Sequence, residues 1–236
     1  MGWGADMLSI KNLKFGHGSH IVVAENTALG GGIYGVIGPS GSGKSTFLNT
    51  LAGFHDCQSG YAIFEDGDLL TQRVEDRPIA MLFQSNNLFP HLTIFRNVAL
   101  AMTSRRWLKK FQQQQVSNAL DRVGLSGFEN RKPGELSGGQ QSRAALARVL
   151  LQKKPILLLD EPFAALGPAM RNEMLDLVKE IAKIDNQIVL LVTHSPDDAL
   201  RICDQTIFVS NKRLWLAGDT KIALQNIPSE MQDYFG

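Results

Sequence analysis

The chain has little that would tie it to an oxidising compartment or to the interior of a membrane. Its two cysteines, Cys57 and Cys203, stand far apart. No disulfide framework is expected, and both read as free thiols in a reducing environment. Charge of neither sign is in excess: 24 Lys and Arg face 23 Asp and Glu, a net +1. That balance shows no footprint of a nucleic-acid surface. No apolar run reaches the ~20 residues that a membrane-crossing helix needs. The best, 144–159, is broken by Arg148, Lys153, Lys154 and Pro155. Residues 1–8 lack the basic start and apolar centre of a secretory signal. Gly2 is not followed by the Ser or Thr of a myristoylation signal. Internal repeats and low-complexity segments are also lacking.

What is present fits a globular protein. The chain has 236 residues, 44% hydrophobic and 20% charged, enough for one large domain or a core with an inserted subdomain. Short strand signals at 8–10 and 21–23 flank Gly16 and Gly18. The apolar run 33–37 ends at Gly38, and 44–52 has Phe47, Leu48 and Leu51 on one helical face before Gly53. Another apolar run, 79–83, ends at Gln84. From about Asn87 to Leu151 helical spacing replaces strand signals, at 98–102, 116–123 and 140–151. Runs 156–159 and 188–192 suit central strands of a parallel sheet. Between them 168–184 is helical, with Pro168 in the first turn. Ser195 is expected to cap a helix containing Asp197 and Asp198. Residues 207–210 and 214–217 read as a hairpin around Asn211-Lys212. The expected organisation is a nucleotide-binding core in two parts, 1–86 and 152–236, with a helical subdomain at 87–151.

Four places carry chemistry. Gly38-Pro39-Ser40-Gly41-Ser42-Gly43-Lys44-Ser45-Thr46 spells a phosphate loop between a strand and a helix. Its glycines let backbone N–H groups face phosphate oxygens, and the helix N-terminus adds positive potential. Lys44 is expected on the β- and γ-phosphates of ATP and Ser45 on Mg²⁺. Asp160-Glu161 ends an apolar strand at the sheet edge where ligands bind. Asp160 is expected to orient the Mg²⁺ shell through water and Glu161 to act as general base. Gln84 and His194 end apolar runs too and belong to the same edge. A glutamine there can bind Mg²⁺ or water, and a histidine can reach the γ-phosphate. His20, His55 and His91 read as ordinary hydrogen-bonded structural histidines. Lastly, Ser137 caps a helix opening Gly138-Gly139-Gln140, a second anion-binding helix end. One nucleotide does not need two such ends from one subunit. Two copies arranged head to tail would use both.

These residues together resemble the ATP-binding-cassette family over essentially the whole chain: phosphate loop, Gln84, the Leu136–Gln140 signature, Asp160-Glu161 and His194. The resemblance implies an α/β fold, a P-loop NTPase core with a mostly parallel sheet, N-terminal antiparallel strands and an inserted helical subdomain. It implies a transport ATPase on the cytoplasmic face of the bacterial inner membrane. That ATPase would dimerise beneath transmembrane permease subunits and serve, indirectly, a periplasmic solute-binding protein. Residues 85–97 would form the groove for a permease helix. Residues 83–93, Pro133-Gly134-Glu135 and Pro162-Phe163 look most like ATPase subunits of bacterial thiamine importers.

Three departures stand out. Ala164-Ala165-Leu166-Gly167 lacks the family's usual Asp at its last position. Gln141-Ser142-Arg143 replaces a more basic stretch. In Phe15-Gly16-His17-Gly18, His17 takes the place of the aromatic that stacks on adenine, with Phe15 beside it as a second candidate. A DNA-repair relative is disfavoured because no long coiled coil interrupts the chain. A translation-associated relative is disfavoured because such chains usually carry two cassettes. Arg105, Arg106, Lys109 and Lys110 read first as a solvated basic face, with attraction to an anionic membrane surface as the alternative.

Overall fold

The computed structural model describes residues 7–83, 85, 87–105 and 107–232. Among these, eleven strands form one sheet. The N-terminal strands are β1 (Leu8–His17), β2 (His20–Ala24), β3 (Thr27–Leu29) and β4 (Gly32–Ile37), followed by α1 (Lys44–Ala52), β5 (Cys57–Phe64), β6 (Gly67–Asp68) and β7 (Ile79–Leu82). Three helices come next: α2 (Ile94–Ala99), α3 (Lys110–Arg122) and α4 (Gly138–Leu150). The chain then alternates through β8 (Ile156–Asp160), α5 (Pro168–Ile184), β9 (Ile188–Val192) and α6 (Pro196–Ile202). It closes with β10 (Gln205–Ser210), β11 (Arg213–Asp219) and α7 (Thr220–Gln225).

The sheet order is β6-β5-β1-β2-β11-β10-β4-β9-β8-β7, with β3 on β1. Strands β10, β4, β9, β8 and β7 pair in parallel, as their unbroken apolar runs require once both faces are covered. One face packs α1 through Phe47, Leu48 and Leu51 against Phe15, Val36 and Leu158. The other packs α5 through Met174, Leu175 and Val178 against Leu157, Leu159 and Leu191. Strand β1 pairs antiparallel with β2, β3 and β5. A separate apolar cluster joins α2, α3 and α4 through Ile94, Val98, Val116, Leu120, Ala144 and Ala147.

Three local expectations change. Strand β5 carries no clean period-2 signal because Gln58, Ser59 and Gly60 interrupt it, and β6 is too short to show one. Gly60 sits at φ 99°, where a Cβ would fall 2.4 Å from the Asn12 carbonyl oxygen, and the β1–β5 register shifts just there, between Lys11 and Lys14. Helix α2 starts earlier than the apolar spacing implies, because the Thr93 hydroxyl accepts from the Arg96 N–H at 3.2 Å. Ser195 stands at the N-cap of α6 but makes no side-chain cap. Its own N–H instead donates to the Thr193 hydroxyl at 3.1 Å.

Candidate functional site

Parallel register brings the chemistry together. Val36 and Asp160 both align with Val192, so the segments leaving β4, β8 and β9 emerge side by side at one edge. The phosphate loop turns there between β4 and α1. A Cβ at Gly38 would fall 2.0 Å from the Val209 carbonyl oxygen. Gly43 holds φ 109°, with Val22 2.9 Å from where a Cβ would stand. Side chains are excluded at both positions, which leaves the backbone open to close approach by an anion.

Lys44 is only 5% exposed. Its Nζ donates to the carbonyls of Gly38 at 2.7 Å and Pro39 at 2.9 Å. Burial lowers its pKa, while Glu161 and Asp160 pull it back up. The Ser45 hydroxyl donates to Asp160 Oδ1 at 2.8 Å. Burial raises the Asp160 pKa against that hydrogen bond, and neighbouring Glu161 raises it further. Glu161 holds a left-handed backbone, φ 48°, uncommon for a side chain of its size. Its carboxylate lies 2.5 Å from His194 Nε2. A cavity of about 190 Å³ opens among Ser40, Gly41, Gly43, Lys44, Ser45, Thr46, Glu161 and His194.

A support for His194 escaped the sequence reading. Thr193 Oγ1 donates to Asp198 Oδ2 at 2.7 Å, and Arg171 Nε from α5 donates to the same oxygen at 3.0 Å. Asp198 is 7% exposed, so this network pins the segment carrying His194 to two helices. From sequence alone, Asp198 is only an acid favoured at a helix start. The missing signal was Arg171, far away in sequence.

Other expected site residues fall differently. Gln84 lies outside the described residues. Its neighbour Phe83 packs its ring against Phe54 at 5.6 Å. Ser137 caps α4 through a reciprocal pair: its hydroxyl accepts from the Gln140 N–H at 3.3 Å, and Gln140 Oε1 accepts from the Ser137 N–H at 3.0 Å. Ser137 and Gly138 are exposed. None of Ser137, Gly138, Gly139 and Gln140 lines the phosphate-loop cavity of the same chain. Gly139 is buried against Met170, whose Sδ would lie 1.6 Å from a Cβ there.

Phe15 does not qualify as a base-stacking residue. It is 0% exposed and packs on Phe47 at 5.5 Å, inside the core. Two residues apart on β1, Phe15 and His17 share a face of the strand; what separates them is that His17 is the strand's exposed last residue. His17 is exposed and stacks on His55 with centroids 4.1 Å apart. His55 in turn is not the satisfied histidine expected, since its buried Nε2 has no hydrogen-bond partner.

A glycine phosphate loop feeding a helix, with an acidic strand end and a histidine across one cavity, defines a P-loop nucleotide-hydrolysing protein. Comparison with known proteins narrows the class. Residues 26–164 match the ABC transporter family model. The thiamine import ATP-binding protein ThiQ of Ruegeria sp. (strain TM1040) is 49% identical over 98% of this chain and 100% of its own length. That of Brucella abortus is 43% identical over 97% and 95%. Among solved structures, cbiO1 from Clostridium perfringens, part of the ABC transporter complex cbiONQ, superposes with a TM-score of 0.84 at 26% identity, covering 94% of this chain and 92% of its own. A bacterial ABC transporter cassette solved as a dimer gives 0.74 at 29% identity, covering 88% and 96%. The chain belongs to the ABC transporter family. It is an ATP-binding, ATP-hydrolysing member.

Proposed function

We propose that this ATPase energises thiamine import across the bacterial inner membrane. In this reading it works as a head-to-tail homodimer on the cytoplasmic face, beneath transmembrane permease subunits fed by a periplasmic solute-binding protein. The observation that carries the cargo is the near-full-length identity to thiamine import ATP-binding proteins. No helix of the described residues is long and apolar enough to cross a membrane. Residues 85–97 are proposed to receive a permease helix. Phe89 there is 47% exposed.

The geometry suits phosphoryl transfer to water, where catalysis is mostly positioning and charge stabilisation. Loop N–H groups and Lys44 hold the β- and γ-phosphates. Glu161 takes the proton of the attacking water. His194 Nε2, now on Glu161, faces the same cavity and can turn its hydrogen bond to the γ-phosphate. Ser45 and Asp160 fit Mg²⁺: both offer hard oxygen donors, and partial burial together with neighbouring Glu161 raises the Asp160 pKa, strain that a bound cation relieves. Gln84 would join them. The ion, when bound, neutralises charge on the phosphate oxygens. Residues 87–151 are proposed to act as a helical subdomain that carries Ser137–Gln140 to the partner's phosphate loop.

The test is uptake. In a thiamine auxotroph lacking the gene, labelled thiamine uptake is expected to return with the wild-type chain and not with Lys44→Ala. Unchanged uptake in the deletion strain would remove thiamine as the cargo.

A further inference from the structure

Between Asp76 and Asp121 the chain has no acidic residue. That stretch holds six of the chain's 24 Lys and Arg (Arg77, Arg96, Arg105, Arg106, Lys109 and Lys110) and none of its 23 Asp and Glu. Four of the six fall in Arg105-Arg106-Trp107-Leu108-Lys109-Lys110-Phe111, where α2 gives way to α3. Trp107 is 82% exposed and Phe111 60% exposed. Arg105, Lys109 and Lys110 are exposed as well.

Described residues of the segment are held at three points. Leu108 tucks against the apolar cluster of α2, α3 and α4. The Lys109 N–H donates to Gln112 Oε1 at 2.9 Å, closing the start of α3. Arg96 Nη2 donates to the Arg105 carbonyl at 2.9 Å, which ties the segment to α2. The described residues here therefore expose two large aromatic rings next in sequence to basic residues, in a stretch with no acidic residue.

We propose that residues 105–111 form a contact for anionic phospholipid headgroups, in which Trp107 and Phe111 enter the interfacial layer while Arg105, Lys109 and Lys110 pair with lipid phosphates. Aromatic rings favour the headgroup level, and basic side chains are drawn to an anionic leaflet. A solvated basic face accounts for the charges alone. It does not account for two exposed aromatics among them. Arg96, which anchors the segment, belongs to the stretch proposed above to receive the permease. The patch thus adjoins the side that would face the bilayer, and to that extent the inference rests on the transport reading. Its consequence is a weak second attachment of the ATPase that does not run through the permease.

The test uses the purified full chain and lipid vesicles without permease or thiamine, so its outcome is independent of the cargo. Co-sedimentation is expected with phosphatidylcholine vesicles containing phosphatidylglycerol, absent with phosphatidylcholine alone, and lost in high salt. In a Trp3→Phe/Trp215→Phe background, Trp107 emission should move to the blue on anionic vesicles. Each of Lys109→Gln and Lys110→Gln should lower partitioning about five-fold. Trp107→Ser/Phe111→Ser should abolish the insertion signal and leave ATP hydrolysis by the isolated protein unchanged. Equal binding to neutral and anionic vesicles, or full binding by these variants, would overturn the proposal. Absence of binding to the permease-free anionic vesicles would overturn it too.

Discussion

At the residue scale, the cavity's side chains are paired in distinct ways: Ser45 with Asp160, Glu161 with His194, and Lys44 with two loop carbonyls. Single substitutions therefore separate their roles. Glu161→Gln keeps the shape of the site but removes the base, and turnover is expected to fall about 10²–10⁴-fold while ATP still binds. Steady-state hydrolysis beside nucleotide binding checks this. The two aromatic candidates on β1 should part company. Phe15→Ala empties a core position and is expected to cost ~3–5 kcal/mol of stability. His17→Ala should leave stability alone and raise the KM for ATP roughly ten-fold, if a base stacks there. Thermal unfolding and kinetics on the two variants distinguish core from site. The residue types did not reveal that difference, because both rings are flat and, two residues apart on one strand, share a face; it comes from His17 standing at the strand's exposed end. The phosphate loop, Asp160-Glu161 and His194 were legible because each is a local signal at the end of an apolar run. The Thr193–Asp198–Arg171 network and the His17–His55 stack were not, because each joins segments remote in the chain.

Elements carry the next set of consequences. Helix α1 bears the phosphate loop at its start, and its end is held by Arg77. That guanidinium is 7% exposed, with Nη1 donating to the carbonyls of Thr50 at 2.9 Å and Leu51 at 2.7 Å. It complements the negative end of the helix. Arg77→Ala leaves those carbonyls unpaired in a buried place and is expected to cost about 3 kcal/mol, a fall of roughly 10 °C in Tm. Helix α5 begins at Gly167, where the family's usual acid is missing. Gly167 is the N-cap with φ −63°, and nothing stands within 4 Å of a Cβ there. Asp fits that conformation and can cap the helix, so Gly167→Asp should be slightly more stable, by a few tenths of a kcal/mol. If the missing acid weakens communication between two ATP sites, the same variant should show a higher Hill coefficient for ATP in the assembled transporter. An unchanged coefficient in an equally stable protein would show that coupling does not depend on that acid. Element types were mostly legible from apolar period. The exceptions, β5 and the start of α2, are set by a glycine bulge and a threonine cap, tertiary and local details that periodicity does not report.

For the whole molecule, the central claim is that one chain makes half of each ATP site. The phosphate-loop cavity takes nothing from Ser137–Gln140 of its own chain, and that capped helix end is exposed, free to face a second copy. The most direct measurement mixes Ser137→Arg chains with Lys44→Ala chains, both in a Glu161→Gln background to slow turnover. In a head-to-tail pair one site receives both lesions and the other receives neither. Neither variant alone should form an ATP-dependent dimer. The mixture should form one and retain one nucleotide per dimer by sizing and bound-ATP assay. A mixture that neither dimerises with ATP nor retains nucleotide would mean each chain uses its own Ser137, and would contradict the account.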